Sequence, residues 1–463
     1  MKKQLVNPER PNLFEDTFDY DSVPRILFDG KILEEMDGEL ITFDPKEAIE
    51  RELVISDTTF RDGQQARPPY TTEQTVKLFE MLSRLGGPKG VVRYTEFFLY
   101  SEKDRAAVEG CRDLGVEYPR ITGWIRAEPG DFRLVRDMEL GETGVLTSCS
   151  DYHIFYKLRK DRRRAFDDYI RLVETALEAG VRVRCHLEDV TRADIEGFVL
   201  PFVQRLAEIS EQVPDELKVK VRLCDTMGFG LTYPGATLPR SIPKLIYKVT
   251  NEGGIPPERL EWHGHNDFHK VHINAASAWL YGCDILNASL LGFGERTGNP
   301  PLEAAIIEYM GLKGDDAGID TRVITEIAEY LRNEVGVAVP ADYPFVGSAF
   351  NMTRAGIHAG GLERDERIYN IFNTEKLLGR PVRVAITDKS GIDGVVKWVN
   401  DFLGLEGKER LGKIQLVKIG RWVVDQYEKH DRVTAISEEE LVEQIRLHLP
   451  KHYERLSLKK AKP

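Results

Sequence analysis

Eight short apolar runs punctuate the chain at nearly even spacing: Leu53–Asp57, Val91–Phe98, Tyr118–Ile125, Val145–Cys149, Val181–Leu187, Val219–Asp225, Leu260–Asn266 and Ile285–Leu291. Each has the length and apolar make-up of a strand covered on both faces. The intervals between them carry helical periodicity. Thr72 opens one interval with a capping-box-like start, and Val76, Leu78, Phe79, Leu82 and Leu85 then recur at helix spacing. Ala165–Ala179 and Asp194–Ser210 are two further helices. Several helices run into glycine just before the next strand, as in Leu85-Gly-Gly and Tyr281-Gly-Cys, where a left-handed residue stops a helix. Eight strands alternating with helices over about 240 residues predict the α/β class and a (β/α)8 TIM barrel. A doubly wound open sheet is the alternative, but no GxGxxG follows the first strand to support it.

The flanks read differently. Residues 1–50 are rich in Pro and Asp and predict an N-terminal arm, with a hairpin drawn from Arg25–Phe28 and Glu39–Phe43. The barrel is assigned to residues 51–315, with Lys313–Asp320 as a linker. Residues 316–463 read as smaller, mainly helical C-terminal subdomains, with a first helix at Ile324–Val335 and a strand-like piece at Val382–Thr387.

Composition narrows the function classes. The 463 residues are 41% hydrophobic and 30% charged, ordinary for a globular protein. A net charge of -12 argues against nucleic acid and anionic membrane surfaces as partners, while leaving small anionic substrates open. The first residues lack the apolar core of a secretory signal, and no stretch has the ~18 consecutive apolar residues of a membrane span. The five cysteines, Cys111, Cys149, Cys185, Cys224 and Cys283, show no CxxC spacing. They are expected to be reduced thiols in the cytoplasm, and Cys149, Cys185 and Cys224 to be core residues.

In a (β/α)8 barrel the chemistry lies where strands end and βα loops begin. Here those ends are dense in polar groups. The first run ends in DTTFRDGQQ (57–65), the second offers Glu96, and the third is followed by Arg126. The fourth leads to Ser148, Ser150, Asp151 and His153. The fifth carries His186, Glu188 and Asp189, the sixth Asp225 and Thr226, the seventh His263, His265, Asn266 and Asp267, and the eighth Glu295, Arg296 and Asn299. Alternate residues of a strand share a face, so His263 and His265 can present two imidazoles to one metal. A carboxylate such as Asp62 completes a two-His, one-carboxylate set suited to Mg²⁺, Mn²⁺, Co²⁺ or Zn²⁺, with Asn299 as a further oxygen. An isolated HxH is as readily a pair of buried hydrogen-bonding histidines. His269 and His272 are placed in the following helix. Arg61 suits oxyanion or enolate stabilisation, and Glu188 suits either a shifted acid or base or a structural salt bridge. The Gly-rich stretch around His358 is open between turn geometry and function.

Together these residues resemble a known family of metal-dependent condensing enzymes and lyases on (β/α)8 barrels, the DRE-TIM metallolyases. DTTFRDGQQ is similar to their DTTLRDGEQ, HGHND (263–267) to HxHND, GFGERTGNPPLE (292–303) to GxGERxGNxxLE, and AGIHAGG (355–361) to SGIHxDG. The family holds the 2-isopropylmalate, homocitrate, citramalate and Re-type citrate synthases, with hydroxymethylglutaryl-CoA lyase as a relative. The stretch YTEFFLYSEKDR looks most like the Re-type citrate synthases. The resemblance covers residues 51 to 400.

The resemblance implies a divalent metal on Asp62, His263 and His265 with Asn299 beside it. It implies Arg61 at the substrate oxygen, Glu188 and Thr226 in the site, and His358 with Tyr369 presented to the barrel of a neighbouring subunit, hence a homodimer. The implied reaction is condensation of acetyl-CoA with a 2-oxo acid. His358 would take the methyl proton, assisted by Tyr369 or Glu188. Arg126, His153 and His186 would make a polar pocket for a second substrate carboxylate, which favours oxaloacetate or 2-oxoglutarate over 2-oxoisovalerate. Three departures bear on the substrate: Phe268 and His269 after HND, Glu96-Phe-Phe-Leu after the second strand, and His186 in place of serine. A lyase running the reverse cleavage and a non-catalytic metal-binding barrel are the competing readings.

Overall fold

The computed structural model describes residue 7 and residues 9–460. The first six residues of the expected N-terminal arm, residue 8 and residues 461–463 lie outside it. Two compact units divide the chain: residues 25–337, and residues 338–463 together with the chain up to Pro24.

The first unit opens with an antiparallel hairpin, β1 (Ile32–Met36) and β2 (Glu39–Phe43). The sequence pointed to Arg25–Phe28 as the first arm. It is instead Ile32–Met36, whose alternation buries Glu34 and Met36, while Asp37 and Gly38 make the turn with positive φ. The hairpin packs Met36, Ile41 and Phe43 against Tyr247 and Tyr281.

Eight parallel strands then close a barrel: β3 (Val54–Asp57), β4 (Val92–Phe98), β5 (Arg120–Arg126), β6 (Glu142–Ser148), β7 (Arg182–Glu188), β8 (Lys220–Asp225), β9 (Leu260–Gly264) and β10 (Ile285–Ala288), with β10 pairing back to β3. The eight apolar runs are these strands, displaced at their ends by up to three residues. Helices fill the connections as their patterns predict. Thr71 caps Thr72–Gly86, with Thr71 and Gln74 exchanging side-chain-to-backbone hydrogen bonds, and buries Leu78, Phe79, Leu82 and Leu85. Gly282 ends Val271–Tyr281 at φ 106, a conformation that costs a Cβ-bearing residue ~1–2 kcal/mol.

The strand register sets the site. It puts Ser148 beside Glu188 and Cys224 beside His263, and it aligns Ala288 with Asp57. The helix Arg322–Asn333 belongs to the same compact unit as the barrel, and Ala317 and Ile319 before it are buried. No helix among the described residues is long and apolar enough to cross a membrane.

The second unit is mainly helical. Gly391–Leu403, Lys413–Glu428 and Glu438–His448 surround a core of Val399, Leu403, Leu416, Ile419, Leu441 and Ile445. The strand-like piece at 382–387 is reduced to Arg383–Val384, paired with Met352–Thr353. All five cysteines are buried and free.

Candidate active site

The charges of the β3 loop have structural employment first. Asp57 accepts from Thr59 Oγ1 at 2.5 Å and from Thr95 Oγ1 at 2.6 Å, and Thr59 Oγ1 accepts the Leu290 amide at 2.8 Å. These bonds tie the loop to β4 and to the loop after β10. Full burial pushes the Asp57 carboxyl up to about 6 against them. The anchored loop then delivers Arg61 and Asp62, the latter opening a one-turn helix, Asp62–Gln65.

Asp62 is buried and faces two ways. Its Oδ1 accepts from Arg61 Nη1 at 2.7 Å. Its Oδ2 lies 3.3 Å from His263 Nε2 and 3.7 Å from His265 Nε2, and the two Nε2 atoms are 3.1 Å apart. Three ligand atoms bound at ~2.0–2.2 Å to one ion stand ~3 Å from one another, so the spacing fits a divalent cation. The protonation states fit as well. His263 Nδ1 lies 2.7 Å from Asn287 Oδ1, which makes Nδ1 the donor and leaves the Nε2 lone pair for a ligand. Burial, partly offset by Asp62, lowers the pKa of both histidines, His263 to about 3. Burial raises the Asp62 carboxyl, but the Arg61 guanidinium, helped by the Asn299 hydrogen bond, outweighs it and keeps it ionised. Two neutral imidazoles and a carboxylate thus converge, the one such group of three among the described residues.

Asn299 stands next to this set. Its amide donates to Asp62 Oδ2 and to the Gly264 carbonyl, each at 3.1 Å, while its buried Oδ1 has no hydrogen-bond partner. In this orientation Asn299 positions the carboxylate and keeps its oxygen in reserve. Gly294 makes the arrangement possible, because a Cβ there would lie 1.9 Å from Asn299 Oδ1.

Glu188 lies in a second cluster. Lys157 Nζ donates to both of its oxygens at 2.9 Å, His153 Nδ1 is 3.0 Å away, and Ser148 Oγ donates a short hydrogen bond. Burial raises the Glu188 carboxyl, yet the His153 bond, Lys157 and Ser148 outweigh it and hold it at about 2. Of the two roles open to it, this environment supplies the ion pair; it does not raise Glu188 into the range of an acid. Thr226 Oγ1 accepts the Asp189 amide at 2.8 Å, holding the β7 and β8 ends together.

The three residues expected to share a carboxylate pocket lie in different settings. Arg126 has a side chain 61% exposed and is paired with Asp131 at 2.8 Å. His153 belongs to the Glu188 cluster. His186 is buried inside the barrel, 3.3 Å from Glu96, where burial and Arg222 outweigh Glu96 and lower its pKa to about 3. It is neutral and brings no positive charge to an anion. His272 lies in the helix after β9, as expected, but His269 lies in the turn before it at φ 56. His358 and Tyr369 belong to the second unit, their ring centroids 4.4 Å apart and both side chains exposed.

A family model described as HMGL-like matches residues 52–331. The chain belongs to the HMGL-like family. Curated relatives extend the likeness beyond the barrel. The chain is 52% identical over 464 residues to a protein named citrate (Re)-synthase from Syntrophus aciditrophicus (strain SB), covering 99% of this chain and 71% of that one. It is 46% identical to a citrate (Re)-synthase from Clostridium kluyveri, covering 95% and 94%. It is 35% identical to a 2-phosphinomethylmalate synthase from Streptomyces hygroscopicus, covering 94% and 96%. The HMGL-like match takes in every barrel residue above and ends before His358 and Tyr369.

One layer of this HMGL-like barrel was missed in the sequence except for Glu96. Glu96, Glu142, Arg184, Lys220, Arg222 and Glu261 are all buried, and they pair both with neighbouring strands, as Arg222 does with Glu261, and across the barrel, as Glu96 does with Arg184 and Arg222, so they fill the barrel interior. Glu96 joins Arg61 at 2.7 Å, Arg222 at 3.1 Å and Arg184 at 3.0 Å. The signal was present: Arg182, Arg184, His186 and Glu188 alternate with Val183, Cys185 and Leu187, a period-two pattern inside a run read as uniformly apolar.

Proposed function

We propose that this chain condenses acetyl-CoA with oxaloacetate to release citrate and CoA, as a divalent-metal-dependent acyltransferase. The observation that carries the reading is the likeness, 52% and 46% identical over nearly the whole chain, to two proteins named citrate (Re)-synthase. The arrangement of Arg61, Asp62, His263 and His265 at the end of the barrel where βα loops gather supports it.

Asp62, His263 and His265 would hold the cation, with Asn299 beside them. A cation at such a site supplies Lewis-acid polarisation of a carbonyl. Arg61 is fixed through Nε by Glu96 and through Nη1 by Asp62, which leaves Nη2 for the oxygen that gains charge as the ketone is attacked. Its guanidinium lies 5.6 Å from the Trp124 ring, which limits its swing further. His358, steadied by Tyr369, takes a methyl proton from acetyl-CoA. The resulting carbanion forms the new carbon–carbon bond to the keto carbon, and hydrolysis of the thioester then releases CoA. In this reading the working unit is a cytoplasmic homodimer, His358 and Tyr369 of one copy completing the barrel of the other.

The test is thiol release from acetyl-CoA with Mn²⁺ across oxaloacetate, 2-oxoglutarate, 2-oxoisovalerate and pyruvate. Release with oxaloacetate, abolished by EDTA and restored by Mn²⁺, is expected. Release with 2-oxoisovalerate alone would replace the substrate, and silence with all four would remove the condensation.

A further inference from the structure

Within the interior charge layer, Arg222 bridges the two glutamates whose oxygens lead to the site, Glu96 and Glu261. Its Nη1 donates at 3.1 Å to Glu96 Oε2, the same oxygen that receives Arg61 Nε at 2.7 Å. Its Nη2 donates at 2.9 Å to Glu261 Oε1, the same oxygen that receives the Ser56 hydroxyl. From Ser56 a chain of hydrogen bonds runs to the histidine pair. Asn287 Nδ2 donates to Ser56 Oγ at 2.7 Å, and Asn287 Oδ1 faces His263 Nδ1 at 2.7 Å. Every donor in that arm points the same way: His263 to Asn287, Asn287 to Ser56, and Ser56 to the Glu261 carboxylate. None of the five side chains from Glu96 to Asn287 is more than 1% exposed.

We propose that Arg222 is a positioning residue that fixes the two halves of the site together: the guanidinium of Arg61 through Glu96, and the tautomer and orientation of His263 through Glu261, Ser56 and Asn287. A charge-assisted chain ending on a carboxylate makes His263 Nε2 a better and better-aimed lone pair, the role that outer groups play for metal-binding histidines. Arg184 supplies the internal contrast. It is equally buried and reaches the same two glutamates, but through their other oxygens, Glu96 Oε1 at 3.0 Å and Glu261 Oε2 at 3.3 Å. It therefore neutralises the layer without touching either oxygen that leads to the site. The catalytic part of the inference rests on the condensation reading. The histidine part does not.

The test compares Arg222→Lys, Arg184→Lys and Ser56→Ala in the full-length protein. Lysine keeps the charge of each arginine and loses its two-pronged reach. Mn²⁺ binding to metal-free protein is measured by calorimetry without substrate, and kcat and KM are measured with oxaloacetate. Arg222→Lys is expected to weaken Mn²⁺ binding about tenfold and to lower kcat about 10–100-fold, with KM for oxaloacetate within about threefold. Ser56→Ala, which cuts only the histidine arm, is expected to weaken Mn²⁺ about tenfold. Arg184→Lys is expected to lower the melting temperature as Arg222→Lys does, while leaving Mn²⁺ binding and kcat near wild type. Equal losses in Arg222→Lys and Arg184→Lys would overturn the proposal, as would unchanged Mn²⁺ affinity in Ser56→Ala; the latter decides the matter if Arg222→Lys does not fold. Weaker Mn²⁺ binding in a protein silent with every oxo acid would sink the condensation reading and leave the histidine arm standing.

Discussion

Two clusters at the same end of the barrel use the same residue types to opposite effect. In one, Asp62 faces His263 and His265, and the imidazoles are buried and neutral. In the other, Glu188 faces His153 and Lys157. The second cluster already contains its cation, since the Lys157 ammonium reaches both oxygens of Glu188. In the first, Arg61 takes one carboxylate oxygen, and the other, which accepts from Asn299, faces the Nε2 atoms of the two histidines. A histidine beside a carboxylate is therefore not enough to mark a metal position. What singles out a candidate is a carboxylate oxygen converging with two imidazole nitrogens where no side-chain cation of the described residues stands among them.

The largest effect that separates the clusters is Asp62→Asn. The amide removes the charge that would draw a cation to the histidines. Thiol release with oxaloacetate is expected to fall about a thousandfold or more, equivalent to ~4 kcal/mol of transition-state stabilisation, and Mn²⁺ binding by calorimetry should be lost. Turnover within tenfold of wild type would show that the two clusters do not differ in the way their geometry indicates.

Gly294→Ala sharpens the comparison without touching a charge. The added methyl would meet Asn299 Oδ1 at 1.9 Å, so the carboxamide must leave Asp62 or the loop must shift. We expect a 10–100-fold loss in kcat/KM and a stability loss of ~1–3 kcal/mol in urea unfolding. A fully active variant would remove Asn299 from the site.

How much of this was legible in the sequence depends on what each residue needed from its neighbours. The barrel was legible because eight buried parallel strands need eight apolar runs, and His263, His265 and Asp62 because strand ends point one way. Three features were not. The interior charges hid in runs whose alternate residues are Val, Cys and Leu, and only partners on other strands, distant in sequence, offset the cost of burying them. The surroundings of His186 were lost for the same reason, since Glu96, which holds it, lies 90 residues earlier; Asp131 is only five residues after Arg126, but that spacing alone does not mark an ion pair. The hairpin was misplaced because its first arm, ILEEM, carries two glutamates, one buried where Lys244 approaches it at 3.8 Å.

A smaller effect should appear in the Glu188 cluster through pH. Its carboxyl is held at about 2 against an ordinary 4.5. A depressed carboxylate contributes stability that is present above the unfolded value and lost as pH falls through the folded one. That contribution, of the order of a few kcal/mol, should fade between about pH 4.5 and 2 in urea titrations. Lys157→Met removes the strongest positive charge on Glu188, so the loss should begin at the same pH, end at a higher pH and be smaller in total. Identical pH profiles for the two proteins would show that His153 and Ser148 alone hold the carboxylate down.

The smallest effect is expected at Arg126, and it tests whether a second substrate carboxylate is met at the rim. Its guanidinium is largely exposed and already shares both oxygens of Asp131, at 2.8 and 3.1 Å. To receive a substrate it must give up that pair, which as an exposed ion pair is worth only ~0–1 kcal/mol. The exchange is thus nearly neutral, and a group that gains little by changing partners adds little to affinity. Arg126→Gln should raise KM for oxaloacetate less than threefold and move the unfolding free energy by under ~1 kcal/mol. A tenfold rise in KM, with kcat and Mn²⁺ affinity untouched, would mean that Arg126 leaves Asp131 for the substrate, and would place the recognition of the second carboxylate on β5 rather than among the buried groups of the barrel.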